Sequence, residues 1–194
     1  MYMADGLMDR IYGNRKRRIY ATLPDVVVEI GAGAGANFRY YPKGTKVIAI
    51  EPNPSLHPLL RRRAGQHGIE LEIKNSKGEA IDLPDNSVSA VVGTLVLCTV
   101  AHPSRVISEI RRILKPEGRY FFVEHIAALP GTPHRKLQER LARVWRWLFE
   151  GCCLNRNTHQ TINQAGFSAV NMDCFELKTR WVPIRPHIFG NAVN

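Results

Sequence analysis

Short apolar runs alternate with amphipathic stretches over the first 125 residues of this chain. The first run, from Asp25 to Ile30, is rich in valine and predicts a buried strand. Four later runs have the same character, and two stretches between them have helical spacing, the first with Asn53 as N-cap and Pro54 at the first helical position. The predicted strands are 25–30, 45–51, 69–74, 87–97 (with the loop that follows it) and 118–125, and the predicted helices are 54–66 and 103–114. This alternation predicts a parallel, doubly wound α/β sheet.

The pattern changes after Pro130. Residues 132–151 have the spacing of one amphipathic helix, in which four aliphatic side chains share a face: Leu137, Leu141, Val144 and Leu148. A second helix is predicted at 155–166, and two strands follow at 167–179 and 182–193. We therefore expect a Rossmann-like, seven-stranded sheet that is mostly parallel and ends in an antiparallel C-terminal hairpin.

Length and composition fit one globular domain. The chain has 194 residues, of which 44% are hydrophobic and 23% charged. No apolar run approaches the ~18 residues that suggest a membrane span, and the N-terminus has no secretory pattern. We expect a single cytoplasmic domain over 1–194, with a basic N-terminal segment at 1–24 and an inserted helical cap at 130–151.

The four cysteines show no metal-binding or redox spacing. Cys98, Cys152, Cys153 and Cys174 form neither a C-x-x-C pair nor a Cys/His zinc pattern. We therefore expect free, mostly buried thiols and no bound metal.

The formal net charge is +10, and the basic residues are clustered. The clusters lie at 15–18, 61–63, 111–112 and 135–146. Such clusters can bind nucleic acid or an anionic membrane surface. No nucleic-acid-binding module accompanies them, so we favour a solvated surface over a nucleic-acid partner.

Three alternating glycines follow the first strand in "VVVEIGAGAGANF". Such a turn lets backbone N–H groups approach a ligand closely. The motif G-x-G-x-x-A and the acidic residue Glu51 about 20 residues on would suit a dinucleotide. Glu29, however, would repel a pyrophosphate, whereas S-adenosylmethionine carries a positive sulfonium and a positive ammonium. We therefore favour S-adenosyl-L-methionine, with S-adenosyl-L-homocysteine as its product, over a nicotinamide cofactor.

The spacing E-x-G-x-G-x-G resembles motif I of the class I methyltransferases, and three later stretches resemble further motifs of that class. They are "IAIEPNP", "GEAIDLPDNSVSAVV" and "ILKPEGRYFFVEH". The resemblance implies the class I fold, with Glu51 accepting from the ribose hydroxyls and Glu79 from the adenine amino group. The cofactor-binding residues that it implies are Glu29, Gly31, Ala32, Gly33, Gly35, Asn37, Glu51, Pro52, Asn53, Gly78, Glu79, Ala80, Thr94, Leu95 and Val96.

Within that class the chain is similar to the small methyltransferase-like proteins whose animal members are membrane-anchored thiol S-methyltransferases. The stretches "GAGANFRYYP", "TLVLCTV", "VEHIAA", "LFEGCCLNR" and "RPHIFG" carry this similarity over nearly the whole chain. It implies methyl transfer, and its best single acceptor is a thiol. The animal members begin with a hydrophobic anchor that we do not see in this sequence, so we do not expect their membrane residence to carry over. Glu51 stands where they usually have Asp.

Acceptor-site candidates lie at the carboxyl ends of the predicted strands, where open α/β sheets bind ligands. His125, at the end of the fifth strand, is the catalytic candidate, with a structural histidine as its alternative. The acceptor-pocket candidates are Cys98, Trp145 and His187. For the aromatic residues of the 132–151 helix we expect core packing, and a pocket cover or a membrane-surface role are the alternatives.

We therefore predict a methyltransferase that acts on a small, fairly apolar molecule, best a thiol, by in-line displacement. Methylation of RNA or a lipid headgroup is the second hypothesis, prompted by the charge. A third is a non-catalytic protein that has kept the cofactor fold. The sequence gives no oligomeric state.

Overall fold

The computed structural model describes residues 2–177 and 182–194. Seven strands form one mixed sheet. They are β1 Val26–Ile30, β2 Lys46–Ile50, β3 Glu70–Lys74, β4 Val88–Thr94, β5 Leu114–His125, β6 Ala169–Glu176 and β7 Pro186–Val193. The helices are α1 Tyr2–Tyr20, α2 His57–His67, α3 Pro103–Ile113, α4 Pro133–Leu148 and α5 Thr158–Asn163, with 3-10 turns at Phe38–Tyr40 and Pro54–Leu56.

The order across the sheet is β3-β2-β1-β4-β5-β7-β6. The first five strands pair in parallel, and β7 pairs antiparallel with both β5 and β6. The order reverses between β1 and β4, which is where doubly wound sheets bind ligands at the carboxyl ends of their strands. The predicted α/β class, the seven strands and the antiparallel C-terminal pair are confirmed.

Several element bounds differ from the sequence-based prediction. β5 begins four residues early, because buried Leu114 pairs with Val88 at the start of β4, ahead of a register shift. Only the middle of the predicted helix at 155–166 is helical, and it forms α5. The end of the predicted strand 167–179 lies outside the described residues.

Two apolar cores lie on opposite faces of the sheet. Alternation along β1 directs Val28 and Ile30 to one core and Val27 to the other. The same alternation turns Glu29 towards the face of Val27. Helix α3 supplies four buried aliphatic residues to the first core, whereas α1 and α2 cover the second.

Helix α1 crosses the second face close to the carboxyl ends of the strands. Tyr12 OH lies 2.8 Å from His187 Nε2, and Tyr20 OH lies 2.9 Å from Thr94 Oγ1. Between them, Lys16 Nζ donates to Asn37 Oδ1 at 2.7 Å. Most of the basic N-terminal segment is therefore a helix docked beside Asn37, just after the glycine turn. Among the described helices, none combines the length and apolarity needed to cross a bilayer.

The apolar stripe of α4 does not pack into the core. Its four aliphatic side chains are 37–57% exposed, and Trp147 is 82% exposed. The helix contacts the domain through another side, where the amide of Gln138 is fully buried and bonds Ala128 N and Pro183 O. A polar anchor rather than the apolar stripe therefore sets the rotation of this helix.

Candidate active site

The glycine turn after β1 adopts left-handed backbone at all three glycines. Gly31, Gly33 and Gly35 have φ of +62°, +55° and +76°, which side chains rarely adopt. A Cβ on Gly31 would collide with Val96, and one on Gly35 with Phe38. A Cβ on Gly33 would meet only one atom, a backbone oxygen 3.9 Å away. The turn is therefore packed at both ends and open at its centre.

Glu51, at the end of β2, closes one side of this opening. Its carboxylate accepts from Gly33 N at 2.7 Å and from Asn53 N at 2.9 Å, and the residue is 5% exposed. Two backbone bonds leave the carboxylate with unused acceptor positions. The side chain is thus fixed beside the turn and still able to accept from ligand hydroxyls.

Glu29 is buried beneath the turn rather than lining its opening. Its oxygens accept from Asn37 Nδ2 at 2.8 Å and from Tyr41 OH at 2.9 Å, and Asn37 also accepts from Lys16. Burial raises the pKa of Glu29 to about 7 and lowers the pKa of Lys16 to about 8. The structure thus gives Glu29 partners within the protein, and direct contact with the cofactor stays a prediction.

Two further segments approach the turn from the other side. Glu79 Oε1 accepts from His102 N at 3.3 Å, while Gly78 is buried and Ala80 exposed. At the end of β4, Leu95 has a φ of +56° although it is not glycine. Backbone strain of this kind is typical of functional sites. We call the turn, Glu51, residues 78–80 and residues 94–96 the cofactor half of the site.

A buried carboxylate that the sequence analysis missed holds the 95–98 loop. Glu124, fully buried, accepts from Val96 N at 2.8 Å, Leu97 N at 2.9 Å and Cys98 N at 3.4 Å. Burial raises its pKa to about 7. The signal was present in the sequence as a charge inside the apolar run of β5.

The next residue, His125, leads to a second group of side chains at this edge. His125 Nε2 lies 3.0 Å from Cys152 Sγ, and one atom each of Cys98, His125 and Cys152 lie within 4.8 Å of one another. The neighbouring Cys98 thiol and the contacts of His125 lower the pKa of Cys152 to about 4. Cys152 was not among the predicted site residues, because nothing in "GCC" indicates which strand ends it meets.

His187 joins this group from β7. Its ring centroid lies 6.1 Å from that of His125, and burial lowers its pKa to about 4. An apolar groove of about 930 Å³ opens beside it, lined among others by Ala127, Met172 and Phe175. We call Cys98, His125, Cys152 and His187 the acceptor half of the site.

The two tryptophans of α4 are separated by the helix. Trp145 is half-buried and stacks on Phe149 with ring centroids 4.0 Å apart, whereas Trp147 points into solvent. Trp145 also contributes to the low pKa of Cys152, so it lies at the acceptor half. The expectation of core packing was wrong for Trp147 and for Phe149, which is 49% exposed.

Comparison with known proteins gives the same picture at the level of sequence. A methyltransferase domain family matches residues 28–122. The chain is 35% identical over 192 residues to thiol S-methyltransferase TMT1B of Rattus norvegicus, covering 93% of this chain and 78% of that protein. It is 35% identical over 191 residues to thiol S-methyltransferase TMT1A of Homo sapiens, with the same coverage.

Solved structures share the fold at low identity. A possible histamine N-methyltransferase from Thermotoga maritima matches with a TM-score of 0.67 and 16% identity, over 99% of this chain and 93% of that one. The [4+2]-cyclase SpnF matches with a TM-score of 0.72 and 16% identity, over 98% and 80%. At this identity the likeness concerns the fold alone. The shared fold and the similarity to the rat and human relatives place the chain among the class I S-adenosylmethionine-dependent methyltransferases. The chain belongs to the family of the TMT1 thiol S-methyltransferases.

Proposed function

We propose that this methyltransferase transfers the methyl group of S-adenosylmethionine to the sulfur of a small, apolar thiol. One observation carries the proposal. An open glycine turn and an edge of cysteine and histidine side chains lie at the carboxyl ends of neighbouring strands, beside an apolar groove. The relatives that cover most of the chain are named as thiol S-methyltransferases. When bound, the cofactor supplies a methyl group that its sulfonium already activates.

The cofactor half has space for this ligand at the centre of the glycine turn. The space at Gly33 lets the backbone approach a ligand, and Glu51 keeps free acceptor positions next to it. We propose that Glu51 binds the ribose hydroxyls and that Glu79 and Ala80 bind the adenine. The remaining residues proposed around the cofactor are Glu29, Gly31, Ala32, Gly33, Gly35, Asn37, Pro52, Asn53, Gly78, Thr94, Leu95 and Val96.

Methyl transfer to a thiol at the acceptor half does not require a strong general base. A thiol with a pKa near ~8.5 is a few per cent thiolate at neutral pH, and thiolates are strong nucleophiles. The protein then has to align the sulfur with the methyl group and exclude water. His125 remains the candidate that accepts the thiol proton, with Cys98, Trp145 and His187 around the acceptor.

A set of matched acceptors tests the proposal. An alkyl thiol, the corresponding alcohol and the corresponding amine are offered to wild type, with product detected by mass spectrometry. We expect methylation of the thiol only, and loss of at least about 100-fold in kcat/KM in Glu51→Gln. Glu72→Gln is the control, because that carboxylate lies on the edge strand β3 and pairs with Lys46 of β2 and with Lys74. Methylation of the amine or alcohol in preference to the thiol would refute the acceptor, and no methylation of any would favour a non-catalytic role.

We also propose that the outer surface of α4 lies against an anionic membrane, which would bring apolar acceptors to the site. Seven of the eight exposed large hydrophobic residues described lie at 129–149, and α4 itself carries five basic residues and one acidic residue. An amphipathic basic helix with an exposed tryptophan is suited to the headgroup region of a bilayer. The same charge keeps nucleic acid as the weaker alternative.

Vesicle sedimentation distinguishes these surfaces. Wild type should bind phosphatidylcholine vesicles that contain phosphatidylserine about tenfold more tightly than vesicles without it. Trp147→Ser should weaken the binding, whereas Val26→Ser, an exposed apolar residue far along the chain from α4, should not. Equal binding to both vesicles, or tighter binding to RNA with a steep salt dependence, would overturn the membrane proposal.

We propose a cytoplasmic location and a single domain over 1–194, in which 1–24 covers the glycine turn and 130–151 forms a cap. The close, unbonded thiols of Cys98 and Cys152 suit a reducing compartment.

A further inference from the structure

The acceptor half contains three side chains that are good ligands for a borderline or soft metal ion. Cys98 follows β4, His125 ends β5 and Cys152 follows α4. Two sulfurs and one imidazole nitrogen from these residues lie within 4.8 Å of one another. No other group of three or more potential ligands is found among the described residues.

The scaffold around these three residues is held in place by other contacts. Cys153 N donates to Cys98 O at 2.8 Å, which ties the two cysteine loops together. Glu124 holds the backbone of the first loop, and Arg156 donates to Val100 O at 2.7 Å. Metal sites need ligands that are positioned before the ion arrives, and these loops meet that requirement.

Among the described residues, the imidazole of His125 makes one hydrogen-bond contact, with Cys152. Its Nδ1 is buried without a hydrogen-bond partner among the described residues, and Nε2 contacts Cys152 Sγ. Burial of a histidine is costly unless its nitrogens are used. The ring therefore has one nitrogen unpaired and the other beside the Cys152 sulfur, with the Cys98 sulfur within 4.8 Å.

The distances suit a zinc ion after a small adjustment. Zn–S bonds of ~2.3 Å and Zn–N bonds of ~2.0 Å at the tetrahedral angle put sulfur and nitrogen about 3.5 Å apart. His125 Nε2 and Cys152 Sγ are 3.0 Å apart, so the ion requires about half an ångström of spreading. We propose that Cys98, His125 and Cys152 bind Zn²⁺. In the metal-free protein, protons on these side chains take the place of the ion.

Three protein ligands leave a fourth tetrahedral position open, as in catalytic zinc sites. Cys152 is only half-buried, whereas Cys98 and His125 are each 2% exposed, so the open position is reached from the side of Cys152. This last step rests on the proposed function, but in the zinc-bound protein His125 Nε2 is a ligand and no longer the proton acceptor: an acceptor thiol that takes the open position releases its proton to solvent and is held as a thiolate. Methyl transfer to that sulfur breaks the sulfonium S–C bond and gives two neutral thioethers, and the methylated product is a weaker ligand that can leave.

Titration of the reduced, metal-free protein with Co²⁺ alone tests the site without reference to activity. We expect one equivalent to bind and to give a thiolate-to-cobalt charge-transfer band that Zn²⁺ abolishes. Cys152→Ser and His125→Asn should each weaken binding by at least about 100-fold. Cys153→Ser is the matched control, because it removes the neighbouring buried thiol that is not a ligand.

Wild type alone can overturn the proposal, since the absence of a charge-transfer band would show that no thiolate site exists. Equal Co²⁺ affinity in Cys152→Ser and wild type would overturn it as well. Binding of S-adenosylhomocysteine, measured in each variant, reports folding separately from the metal. Metal binding without thiol methylation would refute the proposed acceptor but support the zinc site. Thiol methylation by a protein that binds no Co²⁺ would support the acceptor but refute the zinc site.

Discussion

The two halves of this site are built over different distances along the chain. In the cofactor half, Glu29 and Asn37 are 8 positions apart, and Gly33 and Glu51 are 18 apart. In the acceptor half, His125 and Cys152 are 27 positions apart, and Tyr12 meets His187 over 175 positions. One strand–turn–strand unit therefore builds the turn and places Glu51, and residues 78–80 and 94–96 join the first half from farther along the chain. The second half is assembled entirely from distant segments.

The buried carboxylates of the two halves, Glu51 and Glu124, also differ in what their oxygens bind. Glu51 faces the opening of the turn and keeps acceptor positions for a ligand. Glu124 has its oxygens committed to three backbone N–H groups of the 95–98 loop. The first is expected to affect binding and the second to affect stability, and variants of each can test this division.

Removal of Glu124 should have the largest effect on stability. Glu124→Ala leaves three buried N–H groups without an acceptor and an empty space beneath the loop, so we expect a loss of about 3 kcal/mol. In a domain of this size, that lowers Tm by roughly 6–12 °C. Glu79→Ala, which removes one 3.3 Å bond at a partly exposed site, should shift Tm far less. Similar Tm values for the two variants would show that Glu124 does not hold the loop.

The two tryptophans of α4 should differ in their contribution to stability, and this is the next largest effect that we expect. Trp145→Ala removes a half-buried side chain that stacks on Phe149, and we expect a loss of about 2 kcal/mol. Trp147→Ala removes an exposed side chain and should change stability by less than about 0.5 kcal/mol. Urea denaturation of both variants checks the pair. Equal losses would mean that Trp147 is covered in solution, which would contradict its exposure in the structure and its proposed place against a membrane.

Substitution at the centre of the glycine turn should affect the cofactor half specifically. Gly33→Ala and Gly44→Ala both place a methyl group on left-handed backbone, with φ of +55° and +85°, and each should cost about 1 kcal/mol of stability. Only Gly33 borders the proposed cofactor. Calorimetry should show S-adenosylhomocysteine affinity falling about tenfold in Gly33→Ala and unchanged in Gly44→Ala. Equal affinity in both would place the cofactor elsewhere.

The pH dependence of stability should carry the signature of Glu124. Its pKa is raised to about 7 from 4.5, so its contribution is fully present below about pH 4.5 and is lost as pH rises through 7. Wild type should therefore gain stability relative to Glu124→Gln between pH 8 and 5, by up to about 1.4 kcal/mol per pH unit. His187, with its pKa lowered to about 4, acts in the opposite direction in both proteins, so the difference between them isolates Glu124. A constant difference would show that the carboxyl group does not titrate there.

The sequence predicted the fold well because the fold depends on local patterns, and the cofactor-binding roles of the turn and Glu51 stay predictions. Valine-rich strands set the sheet, and the spacing of Glu29, three glycines and Glu51 is readable within one stretch of chain. The acceptor half was only partly predicted, since Cys98, His125 and His187 follow or end strands whereas Cys152 lies after a helix. The orientation of α4 could not be predicted from its apolar stripe, because buried Gln138, and not the leucine stripe, anchors the helix to the domain.

The most direct test of the account is calorimetric titration with S-adenosylhomocysteine of wild type, Glu51→Gln and the control Glu72→Gln. We predict one site with about micromolar affinity in wild type and in Glu72→Gln, and an affinity at least about 100-fold weaker in Glu51→Gln. Absence of binding in wild type, or equal affinity in Glu51→Gln, would contradict the assignment of the glycine turn and Glu51 as the cofactor half of the site.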